Sequence, residues 1–318
     1  MARESRQLRA LVTGGGGFIG HHLVRRLLTD GYQVRVLDNF ATGRRERLEG
    51  LDIELVEGDL RSYERAHAAV RGTELVFHLG AVPSVPRSVQ DPLTTSAVNI
   101  EGTLNVLLAA RDATVRRVVF ASSSSVYGAS PALPKQEDHQ PLPVSPYGVS
   151  KLSAEQYCRA FAGVYGLETV SLRLFNVFGP GQDPLSQYAA VVPRFIAALS
   201  TGTPATIYGD GQQTRDFTFV GDVVEAFVLA VDKPEASGEV FNVCVGAETS
   251  LLELMDTLCE FFESPEEPRF ERARAGEVRR SYGDPTKAAG LLGWRPQWSF
   301  TDGLRECLPS TLSPARPA

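Results

Sequence analysis

A chain of 318 residues, 43% hydrophobic and 22% charged, has ample material for a globular core. Its net charge of −6 and lack of any long basic cluster give no general attraction to nucleic acid or to an anionic membrane, so neither is an expected partner. No apolar run approaches the roughly eighteen residues of a membrane span, and the polar start from Met1 to Gln7 has no signal-peptide apolar region, which predicts a cytoplasmic protein. Four cysteines (Cys158, Cys244, Cys259, Cys307) form no CxxC pair and point to reduced core thiols. Five histidines show no ligand spacing, and adjacent His21 and His22 are expected on different faces of a helix, so no metal site is predicted.

In chain order, Leu8 to Thr13 is an apolar run rich in strand formers that leads straight into Gly14-Gly15-Gly16-Gly17-Phe18-Ile19-Gly20. Phe18, Ile19, Leu23, Val24, Leu27 and Leu28 then recur at helical spacing until Gly31. A second strand, Gln33 to Leu37, ends at Asp38. Glycines 14, 17 and 20 allow a tight turn, approach to a pyrophosphate and close packing of helix on strand, and the helix N-terminus favours phosphate charge. Asp38 lies where an acid can bind a ribose diol. Its carboxylate would repel a 2′-phosphate, which favours NAD over NADP, although Arg44 and Arg45 stand nearby.

The alternation continues through a strand at Ile53 to Val56, a helix around Ser62 to Val70 and a strand at Leu75 to Leu79. Ligands of an open parallel sheet sit beyond the carboxyl ends of its strands, so Asp59, Gly80 and Ala81 are expected beside the adenosine and nicotinamide path. Pro92 to Ala113 reads as one long helix with Val98, Leu104, Leu107 and Leu108 inward, and Arg117 to Ala121 as a strand delivering Ser122 to Ser125. Pro146 then opens a helix carrying Tyr147 and Lys151 on one face, where the ammonium is expected to favour the phenolate and make Tyr147 a base. Past Asn176 the pattern becomes irregular, with helices near Ala190–Ser200, Asp222–Val231 and Leu251–Phe262. The predicted class is α/β: a Rossmann-type doubly wound parallel sheet over residues 1–176, joined by later elements, and a smaller substrate lobe mainly over 177–318.

The glycine loop, Ser122–Gly128, Tyr147-xxx-Lys151, Arg173–Pro180, Tyr188–Pro193, Gly209-Asp210-Gly211 and Arg215-Asp216-Phe217 together resemble the extended short-chain dehydrogenase/reductase superfamily. Within it the chain is similar to the NAD-dependent nucleotide-sugar epimerases and dehydratases, above all the UDP-hexose 4-epimerases, over residues 8 to 300. The resemblance implies that Gly14, Gly17, Phe18, Ile19, Gly20, Asp38, Asn39, Gly43, Asp59, Leu60, Leu79, Ala81, Tyr147 and Lys151 hold NAD. It implies catalytic roles for Ser123, Tyr147 and Lys151, with Ser123 bonded to the sugar O4. Ser84, Arg87, Ser124 and Ser125 would border the sugar, and Asn176, Arg215 and Arg274 the diphosphate. Ala190, Val191, Thr206 and Tyr208 would surround uridine, and Ser281 would stand beside the C2 substituent as gatekeeper.

Related 4,6-dehydratases carry Asp-Glu at the positions of Ser124 and Ser125, and related decarboxylases carry Glu at the second. A serine hydroxyl cannot act as a carboxylic acid does, so a reaction needing only hydride and O4 proton transfers is favoured. The sugar is left open among UDP-glucose, UDP-N-acetylglucosamine and UDP-glucuronate. The alternatives are a dehydratase or reductase on the same scaffold, and a non-catalytic NAD-binding regulator that would not need Ser123, Tyr147 and Lys151 together. By the same resemblance a homodimer is expected through the helices near 92–112 and 146–165.

Overall fold

A computed structural model describes residues 7–184, 189–263, 267–273 and 278–309. Its strands in chain order are β1 (Arg9–Thr13), β2 (Gln33–Asp38), β3 (Ile53–Glu57), β4 (Leu75–His78), β5 (Arg117–Ser123), β6 (Glu168–Leu174), β7 (Thr206–Tyr208), β8 (Thr214–Arg215), β9 (Glu239–Val243), β10 (Thr249–Ser250), β11 (Arg269–Glu271) and β12 (Arg280–Ser281). The helices are α1 (Phe18–Thr29), α2 (Tyr63–Val70), α3 (Val85–Gln90), α4 (Pro92–Ser96), α5 (Gly102–Asp112), α6 (Pro146–Tyr165), α7 (Val191–Ser200), α8 (Val220–Leu229), α9 (Leu251–Phe262), α10 (Thr286–Leu291) and α11 (Phe300–Glu306).

Ala10-Leu11-Val12 of β1 and Leu75-Val76-Phe77 of β4 are wholly buried, as apolar runs must be in a sheet covered on both faces. Seven parallel strands accordingly form one sheet in the order β3-β2-β1-β4-β5-β6-β9. Leu23, Val24 and Leu27 of α1 and Val223 and Phe227 of α8 cover one face. Ala66 of α2, Val106 and Leu107 of α5, and Ala154 and Phe161 of α6 cover the other. Each such large side chain stabilises the fold by about 1.5–3 kcal/mol through burial, so the sheet is a firm base for whatever its strand ends carry. The order reverses between β1 and β4, which opens a crevice at their carboxyl ends.

The sheet is closed by a strand from far along the chain: β9 pairs with β6, Val243 opposite Leu174. Past β6 the other strands are short and form two small sheets, β10-β8-β12 and β11-β7. They pack on a separate aromatic core that includes Phe178, Phe195, Phe217, Phe219, Leu254 and Met255. α9 starts from a capping box, Ser250 Oγ accepting from Glu253 N and Glu253 Oε2 from Ser250 N.

Three local readings of the sequence are corrected. The long helix expected over 92–113 is α4 and α5 joined by a π-helical turn at Ala97–Glu101, which turns Asn99 into the protein. α3, only six residues long, was not foreseen, because it is too short to show a helical period. The His21 and His22 rings do not diverge: their centroids are 4.0 Å apart, one bonded to the Gly17 carbonyl and the other to that of Pro180. Among the described residues all four cysteines are free, no cluster of three candidate metal ligands occurs, and no helix is long and apolar enough to cross a membrane.

Candidate active site

The glycine loop joins β1 to α1 without slack. Gly20 must be glycine, since a Cβ there would lie 2.1 Å from the Gly14 carbonyl oxygen. α1 begins at Gly17 with no side-chain cap and no acidic residue in its first turn, so its amide groups face the crevice ready for an anion. Phe18 and Ile19, the first residues of α1, pack against the aromatic core of the second lobe. Asp38, 8% exposed at the end of β2, accepts from Gly16 N and Phe40 N, both at 2.8 Å. Gly43 folds against this corner, where a Cβ would meet Asp38 Oδ2 at 3.1 Å. Asn39 Nδ2 donates to Asp59 Oδ2 at 3.0 Å, and Arg61 clamps the same carboxylate and holds it down at about 2. Leu60 packs beneath Gly80 and Gly102, and Leu79 N donates to the Thr13 carbonyl at 3.2 Å, which fixes the segment entering Ala81.

On the other side of the crevice β5 ends at Ser123, and the chain enters a 3₁₀ turn at Ser124–Val126. Ser123 Oγ accepts from Ser125 N at 3.1 Å, and its hydroxyl is near enough to the Tyr147 phenol to lower it. α6 starts from Ser145, whose Oγ accepts from Gly148 N at 3.1 Å, with Pro146 in its first turn. Gly148 lets this helix approach the serine turn, because a Cβ would sit 2.6 Å from the Ser125 carbonyl oxygen. Tyr147 N donates to Ser88 Oγ of α3 at 3.0 Å. Ser84 is the N-cap of that helix and accepts from Arg87 N at 3.1 Å.

The electrostatics of the Tyr147–Lys151 pair differ from the expectation. Burial raises the Tyr147 phenol above its ordinary value, and the nearby Ser123 hydroxyl offsets only part of this. Lys151 Nζ is aimed at the Ala121 carbonyl, 2.8 Å away, and lies 5.9 Å from the Tyr147 ring centroid. Burial also brings the Lys151 ammonium down to about 8. Both groups are desolvated, and desolvation opposes both charges.

Behind them lies a pair that sequence reasoning missed. Glu155, one turn past Lys151, accepts Arg173 Nε at 3.0 Å and Nη2 at 2.9 Å, with side-chain exposures of 0% and 4%, and Ser122 Oγ bonds to the same carboxylate. The sequence shows only that Tyr147, Lys151 and Glu155 repeat every four residues; the partner comes from the sheet, where β6 places Arg173 in register with Ser122 of β5. Arg173 also lies 4.7 Å from the Tyr127 ring, whose hydroxyl donates to Asn242 Oδ1 at 2.7 Å on β9.

The second lobe gathers the remaining candidates around β8. Asn176, at φ 25°, donates Nδ2 to the Asp216 carbonyl at 3.0 Å. Arg215 Nη1 donates to the Thr214 and Val278 carbonyls at 2.8 Å, and Ser281 lies opposite Arg215 in the β8–β12 register. Ala190 and Val191 begin α7, Thr206 and Tyr208 belong to β7, and Arg194 of α7 lies 5.8 Å from the Tyr208 ring. Arg274 and Tyr188 fall outside the described residues. Asp216 was also missed: wholly buried, it accepts from Val245 N at 2.8 Å, Gly246 N at 2.9 Å and Gly283 N at 3.3 Å, and burial pushes it up to about 6.

A doubly wound parallel sheet with a glycine loop, an acid ending β2, and Tyr147 and Lys151 on the helix that packs beside the β5 end defines a dinucleotide-binding α/β protein of the extended short-chain dehydrogenase/reductase type. The chain belongs to the NAD dependent epimerase/dehydratase family, which residues 10–244 match. It is 43% identical over 303 residues to the UDP-glucose 4-epimerase of Mycolicibacterium smegmatis, covering 93% of this chain and 96% of that one. The crystal structure of the Thermotoga maritima UDP-glucose 4-epimerase with UDP-glucose superposes with a TM-score of 0.90 at 38% identity, over 93% of this chain and 96% of that one. The UDP-N-acetylglucosamine 4-epimerase of Methanobrevibacter ruminantium, in complex with UDP-N-acetylmuramic acid, gives 0.90 at 36% identity, over 94% and 96%. NAD is the cofactor.

Proposed function

We propose that the protein is an NAD-dependent UDP-hexose 4-epimerase. The observation that carries the reading is the meeting of the β5 end, with Ser123, Ser124 and Ser125 rather than carboxylates, and the start of α6, with Tyr147 and a buried Lys151: the Ser123 hydroxyl acts on the Tyr147 phenol, and Gly148 brings the helix against the Ser125 carbonyl. The crevice fits NAD: the uncapped start of α1 and the close Gly14–Gly20 approach suit a pyrophosphate, and Asp38 suits a ribose diol. Gly17, Phe18, Ile19, Asn39, Gly43, Asp59, Leu60, Leu79 and Ala81 complete the walls, with Tyr147 and Lys151 at the nicotinamide end. Bound NAD supplies acceptance of a hydride from the sugar C4 and its return to the opposite face.

The chain's own groups handle the proton and the tether. Ser123 holds O4 by a hydrogen bond while Tyr147 takes its proton and later gives it back. Since burial raises the phenol, the charged form of Lys151 is needed to support the phenolate. Asn176, Arg215 and Arg274 retain the diphosphate, Arg by its planar donor fork, while the 4-keto sugar turns over. Ala190, Val191, Thr206 and Tyr208 hold uridine. Ser84, Arg87, Ser124 and Ser125 border the sugar, and Ser281, beside Arg215 in the register, leaves room at C2 for a hydroxyl or an N-acetyl group.

We further infer a cytoplasmic homodimer. Leu93 of α4 and Val164 of α6 are 83% and 72% exposed, and a groove of about 500 Å³ between α4 and the start of α6 is lined by Pro92, Ile100, Val144 and Val149. A second copy laid helix on helix would cover that apolar face.

The test is incubation with UDP-glucose, UDP-N-acetylglucosamine and UDP-glucuronate followed by chromatography. A C4 epimer of at least one, without added reductant, is expected. Loss of water or carbon dioxide from the sugar, or stoichiometric accumulation of reduced cofactor, would overturn the reading.

A further inference from the structure

We propose that His78 is a positioning residue for the hydride-transfer step: as the Nε2–H tautomer it is the central joint of a buried hydrogen-bond chain that sets the loop Gly80–Val82 against the catalytic helix α6. The proposal rests on the 4-epimerase reading for the step it serves, and on the structure alone for the chain itself.

The direction of every link is determined. Thr103 Oγ1 lies 2.6 Å from the Asn99 carbonyl, an acceptor only, so its proton is committed there. His78 Nε2, 2.9 Å from the same hydroxyl, must therefore be the donor. His78 Nδ1 is then bare and accepts from Thr13 Oγ1 at 2.7 Å. Thr13 Oγ1 in turn accepts from Gly80 N at 3.0 Å. At the far end the Asn99 side chain bonds Val82 N at 2.8 Å and Ser150 Oγ at 3.0 Å, and Ser150 Oγ donates to the Tyr147 carbonyl at 2.8 Å. The chain thus runs from the end of β1, beneath the loop that carries Ala81, to the Asn99 carbonyl in the π-helical turn, and continues from the Asn99 side chain onto the backbone of Tyr147, its two halves joined through Asn99 itself.

Its side-chain members are all buried, with exposures of 0% for Thr13, 1% for His78, Thr103 and Ser150, and 2% for Asn99. At that depth an apolar set of equal shape would cost less to bury, so a satisfied polar chain specifies geometry rather than adding bulk stability. Its two ends hold the two sides of the crevice, where small displacements of reacting groups carry large rate penalties. The surroundings also keep the imidazole neutral. Its ring stacks on Phe120 at 5.6 Å between centroids, and Lys151 Nζ lies 4.9 Å from the same Phe120 ring. Burial and the Lys151 charge hold His78 down at about 3, which preserves Nδ1 as an acceptor and spares Lys151 a neighbouring cation.

Two measurements test this. ¹⁵N NMR of histidine-labelled protein, assigned against His78→Asn, should show a neutral Nε2–H imidazole from pH 5 to 9; an Nδ1–H tautomer or titration near neutrality would overturn the chain. Kinetics then compare Thr103→Val, which removes one hydroxyl at constant shape, with Thr103→Ser, which keeps it. With UDP-glucose the Val variant should lose about tenfold or more in kcat. Its KM should stay within about twofold and bound NAD unchanged, with a larger isotope effect for C4-deuterated substrate, and the Ser variant should recover to within about threefold of wild type. Equal losses in both variants, or kcat and KM moving together, would reduce Thr103 and His78 to structural parts. If the wild type epimerises no UDP-hexose, the functional reading falls, while the NMR result still decides whether the His78 joint exists.

Discussion

The two sides of the crevice are built differently. The side proposed to hold the dinucleotide rests on backbone shape: the apolar runs Ala10–Val12 of β1 and Leu75–Phe77 of β4 are buried, Gly20 is pressed against Gly14, and the Asp38 carboxylate is satisfied by two amides. The side proposed to hold the sugar rests on side chains carried by strands of two or three residues, with ion pairs such as Arg279–Asp210, both partners more than half exposed, and Arg280–Glu248, whose arginine is exposed. Exposed pairs of this kind contribute about 0–1 kcal/mol each. Firmness on the sugar side comes from Asp216, which ties Val245, Gly246 and Gly283 to the strand bearing Arg215. A dinucleotide floor set by the central sheet, beside a lobe held by its own apolar core and by Asp216, suits the proposed reaction, in which the cofactor stays still and the sugar turns.

The largest effect is expected where the floor meets the chemistry. Glu155→Leu leaves Arg173 buried without its counter-charge and should cost about 3–5 kcal/mol in urea unfolding; a loss below about 1 kcal/mol would show that α6 is not anchored through this pair. Asp216 comes next. Its folded value of about 6 lies above the usual 3.8, so its protonated form contributes stability that is full below about pH 4 and lost as pH rises through 6. A shift of this size corresponds to roughly 3 kcal/mol, and the stability of wild type relative to Asp216→Asn should fall by that order from pH 4 to 6.5. Parallel pH profiles for the two proteins would remove Asp216 from the account.

Tyr147→Phe should lower turnover at least about a hundredfold with NAD content and unfolding midpoint nearly unchanged, the scale of a lost general base. Turnover within a few-fold of wild type would refute that role. The smallest effect concerns the sugar side. Ser281→Tyr should suppress epimerisation of UDP-N-acetylglucosamine while sparing UDP-glucose, because overfilling a tight site costs roughly 1–3 kcal/mol. Equal loss of every substrate would place the specificity elsewhere, around Ser84, Arg87 and Ser124.

The same contrast governs what was legible in the sequence. The glycine loop, Asp38 and the Tyr147–Lys151 spacing obey local rules of turn, helix terminus and helical period, so the strand–loop–helix order of this half and its fold class could be read from the sequence. Nothing local announces that Glu155 meets Arg173, since that contact depends on β6 lying beside β5. Nor does anything local announce that Asp216 gathers three amides from two distant loops. The Tyr147 phenol was misjudged for a related reason: helical spacing brings Lys151 to the same face but says nothing of the Ala121 carbonyl that takes its ammonium, or of the burial that outweighs it. His21 and His22 meet because each ring is held by a separate carbonyl, one of them from Pro180 far along the chain.

The central claim is that one hydride leaves C4 and returns to the same carbon on its other face. It is tested most directly with UDP-glucose deuterated at C4, by following the C4 epimer in ¹H and ²H NMR through many turnovers. Full retention of deuterium at C4 in both epimers, with none reaching water, is the predicted result. Deuterium released to solvent, or a steady build-up of deuterated reduced cofactor in place of the epimer, would contradict it.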